Sequence, residues 1–380
     1  MPTITDIKLK SRYIPVGPLL IDNASWIGND SYFRYPFILI NLANFKEHRS
    51  KYNIPDDVFL LTDSGGFQVI SGKCNYDWKQ SLEQQLMIGA TRIFAFDTPP
   101  LIKAKDGGGS NAMFNPMDYD TTKKIIEQNF DVAMKQSDYL KQHAPDKLKD
   151  FFYILHGSTK ELLDYNIELI KNRIGGMENY TKYFGGVCYS VKGEDNIFLT
   201  TAMIHANQYF IKRNIPVHVL GFGSETRMVI MVRCKITTFD STTAANAKIF
   251  STIFNHVNMG GRKKNVQSIH HTRWPFTAQF CDCPVCCKVD FIDMAKNAPT
   301  KVGQYLTLHN LYQLMRFNTF LDSIEADKYT ETVKEFLELD SEILNCLEYI
   351  DLADKIGIDK AYEKYKHFMK PEKTMQKSLF

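Results

Sequence analysis

Between residues 58 and 240 the hydrophobic and polar positions follow one repeating arrangement: a short apolar, β-prone run, then a polar residue or glycine, then a stretch with helical spacing. The runs are 58–61 leading to Asp63, 92–96 ending at Asp97, 151–155 ending at His156-Gly157, 183–184 leading into Gly185-Gly186, 217–220 ending at Gly221, and 235–239 ending at Asp240. Helical spacing over 121–142, 160–173 and 224–233 separates several of them, and Ser224 opens the last as an N-cap. Alternating strands and helices predict a parallel sheet. Earlier apolar runs at 19–21 and 37–42 bring the strand count near that of a closed (β/α)8 TIM barrel, an α/β fold. An open doubly wound sheet is the competitor, but no Gly-x-Gly-x-x-Gly turn supports it.

In such a barrel the chemistry lies where the strands end, which is where Asp63, Asp97 and Asp240 fall. A carboxylate at the end of an apolar run is unfavourable unless it is hydrogen-bonded or functional. Three together point to an acid/base and nucleophile set. Asp63-Ser64-Gly65-Gly66-Phe67-Gln68 adds a glycine pair that lets backbone approach a ligand and an aromatic face that can stack on a planar base. The glycine-bearing loop 105–111 after Asp97 reads as a lid or a solvated connection. Beyond Phe317 the pattern predicts charged amphipathic helices over 330–349 and 352–369.

The chain has 380 residues, 44% of them hydrophobic and 23% charged, which excludes disorder as the whole answer. A formal charge of +3 forces no nucleic-acid partner, though a local basic patch can still bind one. The best such patch is Gly261-Arg262-Lys263-Lys264, with His270, His271 and Arg273 nearby; a solvated loop is the alternative. No apolar run approaches the roughly 20 residues of a membrane span, and no signal peptide is read, so a cytoplasmic protein is expected.

Eight cysteines in a large chain without a leader suggest reduced thiols or metal ligation rather than disulfides. Cys281-x-Cys283-x-x-Cys286 places three thiols in one loop, and tetrahedral Zn²⁺ takes four N or S ligands. His309 is the best fourth, with Cys287, His270 and His271 as alternatives. A closed ligand set leaves no position for water, so the zinc is expected to be structural. Cys74, Cys188, Cys234 and Cys346 are dispersed and read as small buried hydrophobes.

Taken in order, Asp63-Ser64-Gly65-Gly66-Phe67-Gln68-Val69, Phe96-Asp97, Gly185-Gly186, Leu220-Gly221-Phe222-Gly223, Phe239-Asp240 and the Cys281/Cys283/Cys286/His309 set resemble the tRNA-guanine transglycosylases over roughly Leu19 to Phe317. The resemblance implies a (β/α)8 barrel with a zinc subdomain, and exchange of guanine in a polynucleotide for a 7-deazaguanine without cutting the backbone. It assigns Asp240 as nucleophile, Asp63 as general acid and then base, Asp97 as reader of the guanine edge, Phe67 as stacking partner, and the backbone around Gly185 and Gly186 as a contact to the base carbonyl. Ser64 and His156 complete the expected base-binding set. The resulting division is a barrel over residues 1–275, a zinc subdomain over 276–318 and a helical extension over 319–380.

Two departures bear on the polymer. His156-Gly157-Ser158 stands where the tRNA enzymes carry Gln-Gly-Gly, and Ser241 to Lys248 lacks the arginines with which they read the flanking bases. In this the chain resembles the branch of the superfamily, found in phages and bacterial genomic islands, that inserts 7-deazaguanines into DNA. The expected partners are therefore DNA, with tRNA as the alternative, and a free base such as 7-cyano-7-deazaguanine. A homodimer or an accessory DNA-opening protein is compatible with this, and a phage-encoded protein would work in the host cytoplasm. Two rival readings are a non-catalytic partner subunit, against which Asp63 and Asp240 both stand, and a barrel metallohydrolase using His156, His218 and a strand-end Asp, which lacks a His-x-His ligand pair.

Overall fold

The apolar runs become parallel strands wherever both of their faces find cover. In the computed structural model, residues 11–17, 25–28, 31–103, 114–157, 159–190, 201, 204–246, 252–254, 263–265, 283–289, 299–337, 339 and 341–365 are described. The strands are β1 (Arg12–Pro15), β2 (Phe37–Ile40), β3 (Phe59–Thr62), β4 (Ile93–Phe94), β5 (Leu101–Lys103), β6 (Phe114–Pro116), β7 (Phe151–Leu155), β8 (Gly186–Ser190), β9 (Val217–Leu220), β10 (Thr238–Ser241), β11 (Thr252–Phe254) and β12 (Lys263–Asn265).

A six-stranded sheet runs β1-β10-β9-β8-β7-β4, and β2 pairs with β3. Every ladder in this set is parallel. Single parallel bridges, Val16 to Leu39 and Leu61 to Arg92, tie the β2/β3 pair to both margins of the larger sheet. The sheet is therefore curled, and its inner face collects Ile14, Leu39, Leu61, Phe94, Phe152, Ile154 and Cys188 in one buried cluster. Two antiparallel pairs, β5/β6 and β11/β12, stand apart from it.

Helices α1 (Gly66–Ile70), α2 (Trp78–Ile88), α3 (Tyr119–His143), α4 (Lys160–Arg173), α5 (Gln208–Ile211), α6 (Glu225–Arg233) and α7 (Thr243–Asn246) follow the strands. Asp77 and Gln80 form a capping box on α2, and Asp118 and Thr159 cap α3 and α4, satisfying N–H groups the first turn leaves open. The buried face of α3 holds Asn129 and Gln136 among Ile126, Phe130, Ala133 and Leu140. Both polar side chains reach the segment that follows β4: Gln136 accepts from Phe96 N–H at 2.8 Å and Asn129 from Thr98 N–H at 2.8 Å.

Four further helices complete the described chain: α8 (Pro299–Ser323), α9 (Tyr329–Phe336), α10 (Ser341–Ile356) and α11 (Ile358–Tyr365). Helix α8 docks on β1, where Asn318 accepts from Tyr13 N–H at 2.9 Å and Asp322 from Ser11 N–H at 3.0 Å. The expected boundary between residues 318 and 319 thus falls inside a continuous helix. Helix α10 locks onto α6 through Arg233, whose guanidinium reaches Asp351 at 2.6 Å and Asp354 at 2.8 Å.

Several expectations shift. The first strand is Arg12–Pro15, and the run at 19–21 lies outside the described residues, as does the loop 105–111. The helix expected over 330–349 is broken where Leu337 turns to extended backbone and buries its side chain. The next break falls at Gly357, whose φ of +91° suits only glycine without strain. Among the described residues no helix is long and apolar enough to cross a membrane.

Candidate active site

Parallel pairing places the ends of several strands at one rim. Asp63 follows β3, Asp97 lies three residues beyond β4, His156 follows β7, Gly221 follows β9, and Asp240 is the third residue of β10. The register pairs Ile14 with Asp240 and Ile40 with Thr62. All three expected carboxylates therefore share this rim. Between Asp97 and Asp240 lies the buried Cys188 thiol of β8, which is pushed up by burial first and then by the charge of both carboxylates.

Asp63 is held at both oxygens, Oδ1 accepting from Leu42 N–H at 2.8 Å and Oδ2 from Gln68 Nε2 at 2.8 Å. Gly65 turns the chain with φ +81°, so that α1 starts immediately and carries Phe67. Gly66 passes so close to Asp97 that a Cβ there would lie 1.9 Å from the Asp97 carbonyl oxygen. Backbone contact of this kind explains the glycine pair and brings Ser64 to Asp97, whose Oδ1 accepts from the Ser64 hydroxyl.

Asp97 is buried, at 6% exposure. His156 Nε2 stands 2.9 Å from its Oδ2, off the direction of a hydrogen bond, and keeps no hydrogen-bond partner among the described residues. Asn166 of α4 pins the His156 carbonyl at 2.6 Å and is in turn bonded by Tyr153 Oη at 3.1 Å. A buried carboxylate beside an imidazole and a hydroxyl is suited to an edge that presents N–H donors and a carbonyl.

Asp240 is 4% exposed. Its Oδ1 lies 3.1 Å from His218 Nε2 and accepts Gly221 N–H at 3.1 Å. His218 is fully buried in β9, and burial pushes its imidazole down, against the opposing pull of Asp240. Tyr13 donates to the Ser241 carbonyl at 3.1 Å, and burial pushes its phenol well above the ordinary value.

Gly185 and Gly186 lie elsewhere. Strand β8 begins at Gly186, paired with Phe152, and Gly185 N–H donates to Phe151 at the start of β7. They occupy the opposite end of the strands from the carboxylates, so the expected contact to a base carbonyl is corrected. Their missing side chains make room instead: a Cβ on Gly185 would meet the Lys149 carbonyl at 1.8 Å, and one on Gly186 the Phe152 ring at 2.2 Å. The β8 residues at the carboxylate rim are Tyr189 and Ser190, in register with Leu155 and Leu220.

A second cluster forms away from the rim. Cys283 and Cys286 Sγ lie 3.4 and 3.1 Å from His309 Nδ1, and the three ligand atoms are within 4.8 Å of one another. Tetrahedral Zn²⁺ with Zn–S of about 2.3 Å and Zn–N of about 2.0 Å sets S···N at about 3.5 Å, so the donor set suits a zinc ion. Cys287 is exposed and not part of the group. Cys281, Arg262, His270, His271 and Arg273 lie outside the described residues; Lys263 and Lys264 are on β12.

A curled parallel sheet with three carboxylates at its C-terminal rim and a separate Cys/His cluster has the layout of an α/β enzyme. A family profile described as queuine tRNA-ribosyltransferase matches residues 41–342. The chain belongs to this family, TGT, whose members are base-exchanging pentosyltransferases with a TIM-barrel-like fold. It is 22% identical over 324 residues to a tRNA-guanine(15) transglycosylase of Saccharolobus solfataricus, covering 83% of this chain and 58% of that protein's length. It is 25% identical over 295 residues to a queuine tRNA-ribosyltransferase of Vibrio campbellii, covering 73% of this chain and 74% of the relative. With one from Photobacterium profundum it shares 26% over 308 residues, at the same coverage.

Two sets of residues near the site carry no motif. His218 and Thr238 are ordinary strand positions by sequence, and Gln85 of α2 bonds both Phe94 N–H and Phe94 C=O at 2.9 Å. The available signal was a polar residue on an otherwise apolar helix face, as at Gln85, Asn129 and Gln136.

Proposed function

We propose that the chain is a guanine transglycosylase that replaces a guanine in a polynucleotide with a 7-deazaguanine. The observation that carries this is the convergence of Asp63, Asp97 and Asp240 at one rim, with one Asp240 oxygen held by two donors. In the first half-reaction Asp240 Oδ2 attacks C1′, the C1′–N9 bond breaks, and the departing guanine takes a proton from Asp63. In the second, Asp63 removes the N9 proton of the incoming base, whose nitrogen displaces Asp240 from C1′. Two displacements retain configuration, as in a retaining glycosidase. Asp97, with Ser64 and His156 beside it, accepts from the N1–H and N2–H donors of the base, and Phe67 stacks on its face.

tRNA is the better supported polymer, because the similar proteins carry tRNA substrates in their names. One observation favours DNA instead: residues 241–248 contain no arginine with which to read the bases beside the target. Lys263 and Lys264, with Arg262, are the proposed phosphate contacts. Cys281, Cys283, Cys286 and His309 are the proposed ligands of a structural Zn²⁺, whose chemistry is to crosslink the 283–289 loop to α8. Labelled guanine offered with tRNA and DNA side by side tests the reading. Exchange into one polymer well above the other assigns the substrate; exchange into neither contradicts it.

A further inference from the structure

Asp240 ends a line of hydrogen bonds that runs up the inside of the barrel from the opposite end of the strands. The Arg92 guanidinium, at the start of β4, lies over the rings of Phe152 and Phe59, 4.1 and 5.0 Å from their centroids. Burial lowers it to about 10, so it stays charged at neutral pH. Its Nη1 donates to Thr238 Oγ1 at 3.1 Å. Thr238 Oγ1 is 2.8 Å from His218 Nδ1, and His218 Nε2 is 3.1 Å from Asp240 Oδ1.

The two ends fix the direction of the outer bonds. A guanidinium has donors only, so Thr238 Oγ1 accepts from Arg92, and its hydroxyl hydrogen is available to Nδ1. An imidazole that accepts at Nδ1 and is neutral carries its proton at Nε2. That proton meets a carboxylate oxygen, which only accepts. The opposite tautomer would set an Nε2 lone pair against Oδ1, two acceptors face to face at 3.1 Å. Gly221 N–H falls on the same Oδ1 at 3.1 Å, so rotating the carboxylate breaks two bonds at once. Among the described residues Oδ2 takes no hydrogen bond.

We propose that His218 is a positioning residue for the nucleophile, locked by Arg92 and Thr238 as the Nε2–H tautomer, so that Asp240 presents Oδ2 to the sugar. This rests on Asp240 being the nucleophile. His218 moves no proton in either half-reaction; it sets the angle of attack and draws charge from Oδ1 as the covalent bond breaks. Because the line works only on reacting atoms, its loss falls on kcat and not on KM.

The test combines imidazole-nitrogen NMR of the full-length protein, labelled at histidine, with exchange kinetics of Thr238→Val and Thr238→Ser. In the unsubstituted protein His218 is expected to be neutral and Nε2-protonated at about pH 7. Thr238→Val is expected to lose that signature and to lower kcat roughly 10- to 100-fold with KM within about twofold, the size expected for a misaligned reactant. Thr238→Ser restores the hydroxyl, the tautomer and most of kcat. His218→Gln, which keeps a donor near Nε2, is expected to outperform His218→Leu at equal thermal stability. An Nδ1–H or imidazolium state in the unsubstituted protein overturns the proposal, as does a Thr238→Val protein with altered tautomer and undiminished kcat. Failure of the underlying reading looks different: full exchange by Asp240→Ala removes the nucleophile, while the NMR result still decides the hydrogen-bond line.

Discussion

Asp63, Asp97 and Asp240 were legible because each breaks an apolar run at the place where a barrel keeps its chemistry. Their partners were not. His218, Thr238, Gln85 and Asn166 matter through the particular hydrogen bonds they align, and no spacing in the chain encodes those. The glycines show both outcomes. Gly65-Gly66 reads as a site of close approach, and Gly66 does press against Asp97, whereas Gly185-Gly186 reads as a rim element although strand β8 only begins there. Gly66→Ala is therefore expected to destabilise the fold by about 2 kcal/mol, in the range of core overpacking, and to abolish exchange by displacing Asp97. Gly72, with φ +73° and nothing within 4 Å of an added Cβ, is the control: Gly72→Ala costs about 1 kcal/mol of backbone strain and spares activity. Urea unfolding midpoints separate the two.

Helix α8 was visible only in part, because its residues divide by sequence between a zinc subdomain and a tail, yet one continuous helix carries both His309 and the Asn318 and Asp322 contacts to β1. A zinc site at Cys283, Cys286 and His309 would fix that helix at one end while β1 fixes the other. We expect one zinc per chain by metal analysis, and Cys283→Ser to lose it together with several degrees of thermal stability; full stability in a zinc-free variant contradicts a structural role. The docking of α10 on α6 supplies a pH-dependent test. Burial alone would raise the Asp354 carboxyl, but hydrogen bonds from His205 and Arg233 outweigh it and hold it at about 2, against an ordinary 3.8. A depressed carboxylate stabilises the fold above its unfolded value and stops doing so as pH falls through its folded value. The stability gap between the protein and Asp354→Asn should thus be constant above about pH 4 and close toward pH 2; a gap that widens on acidification refutes this account.

The alternation of strands and helices made the parallel sheet readable over residues 58–240, since covered strands must be apolar on both faces. The curl of the sheet was less so, because single bridges at Val16 and Leu61 join its margins and the first strand, Arg12–Pro15, is short and charged at one end. A net charge of +3 leaves polynucleotide binding to a local strip. Lys263→Ala with Lys264→Ala should weaken binding of either polymer and lower the salt slope of log K by about 2, one for each phosphate that is no longer neutralised; an unchanged slope places the strip elsewhere. The proposed reaction has one signature, a bond between Asp240 and the sugar. The decisive measurement is denaturing gel electrophoresis and peptide mass spectrometry of the protein mixed with tRNA or DNA in the absence of incoming base. We predict a covalent polynucleotide adduct on Asp240 that disappears when free guanine is added and never forms with Asp240→Ala. An adduct that persists in Asp240→Ala, or guanine exchange that proceeds with no adduct on any residue, would contradict the account.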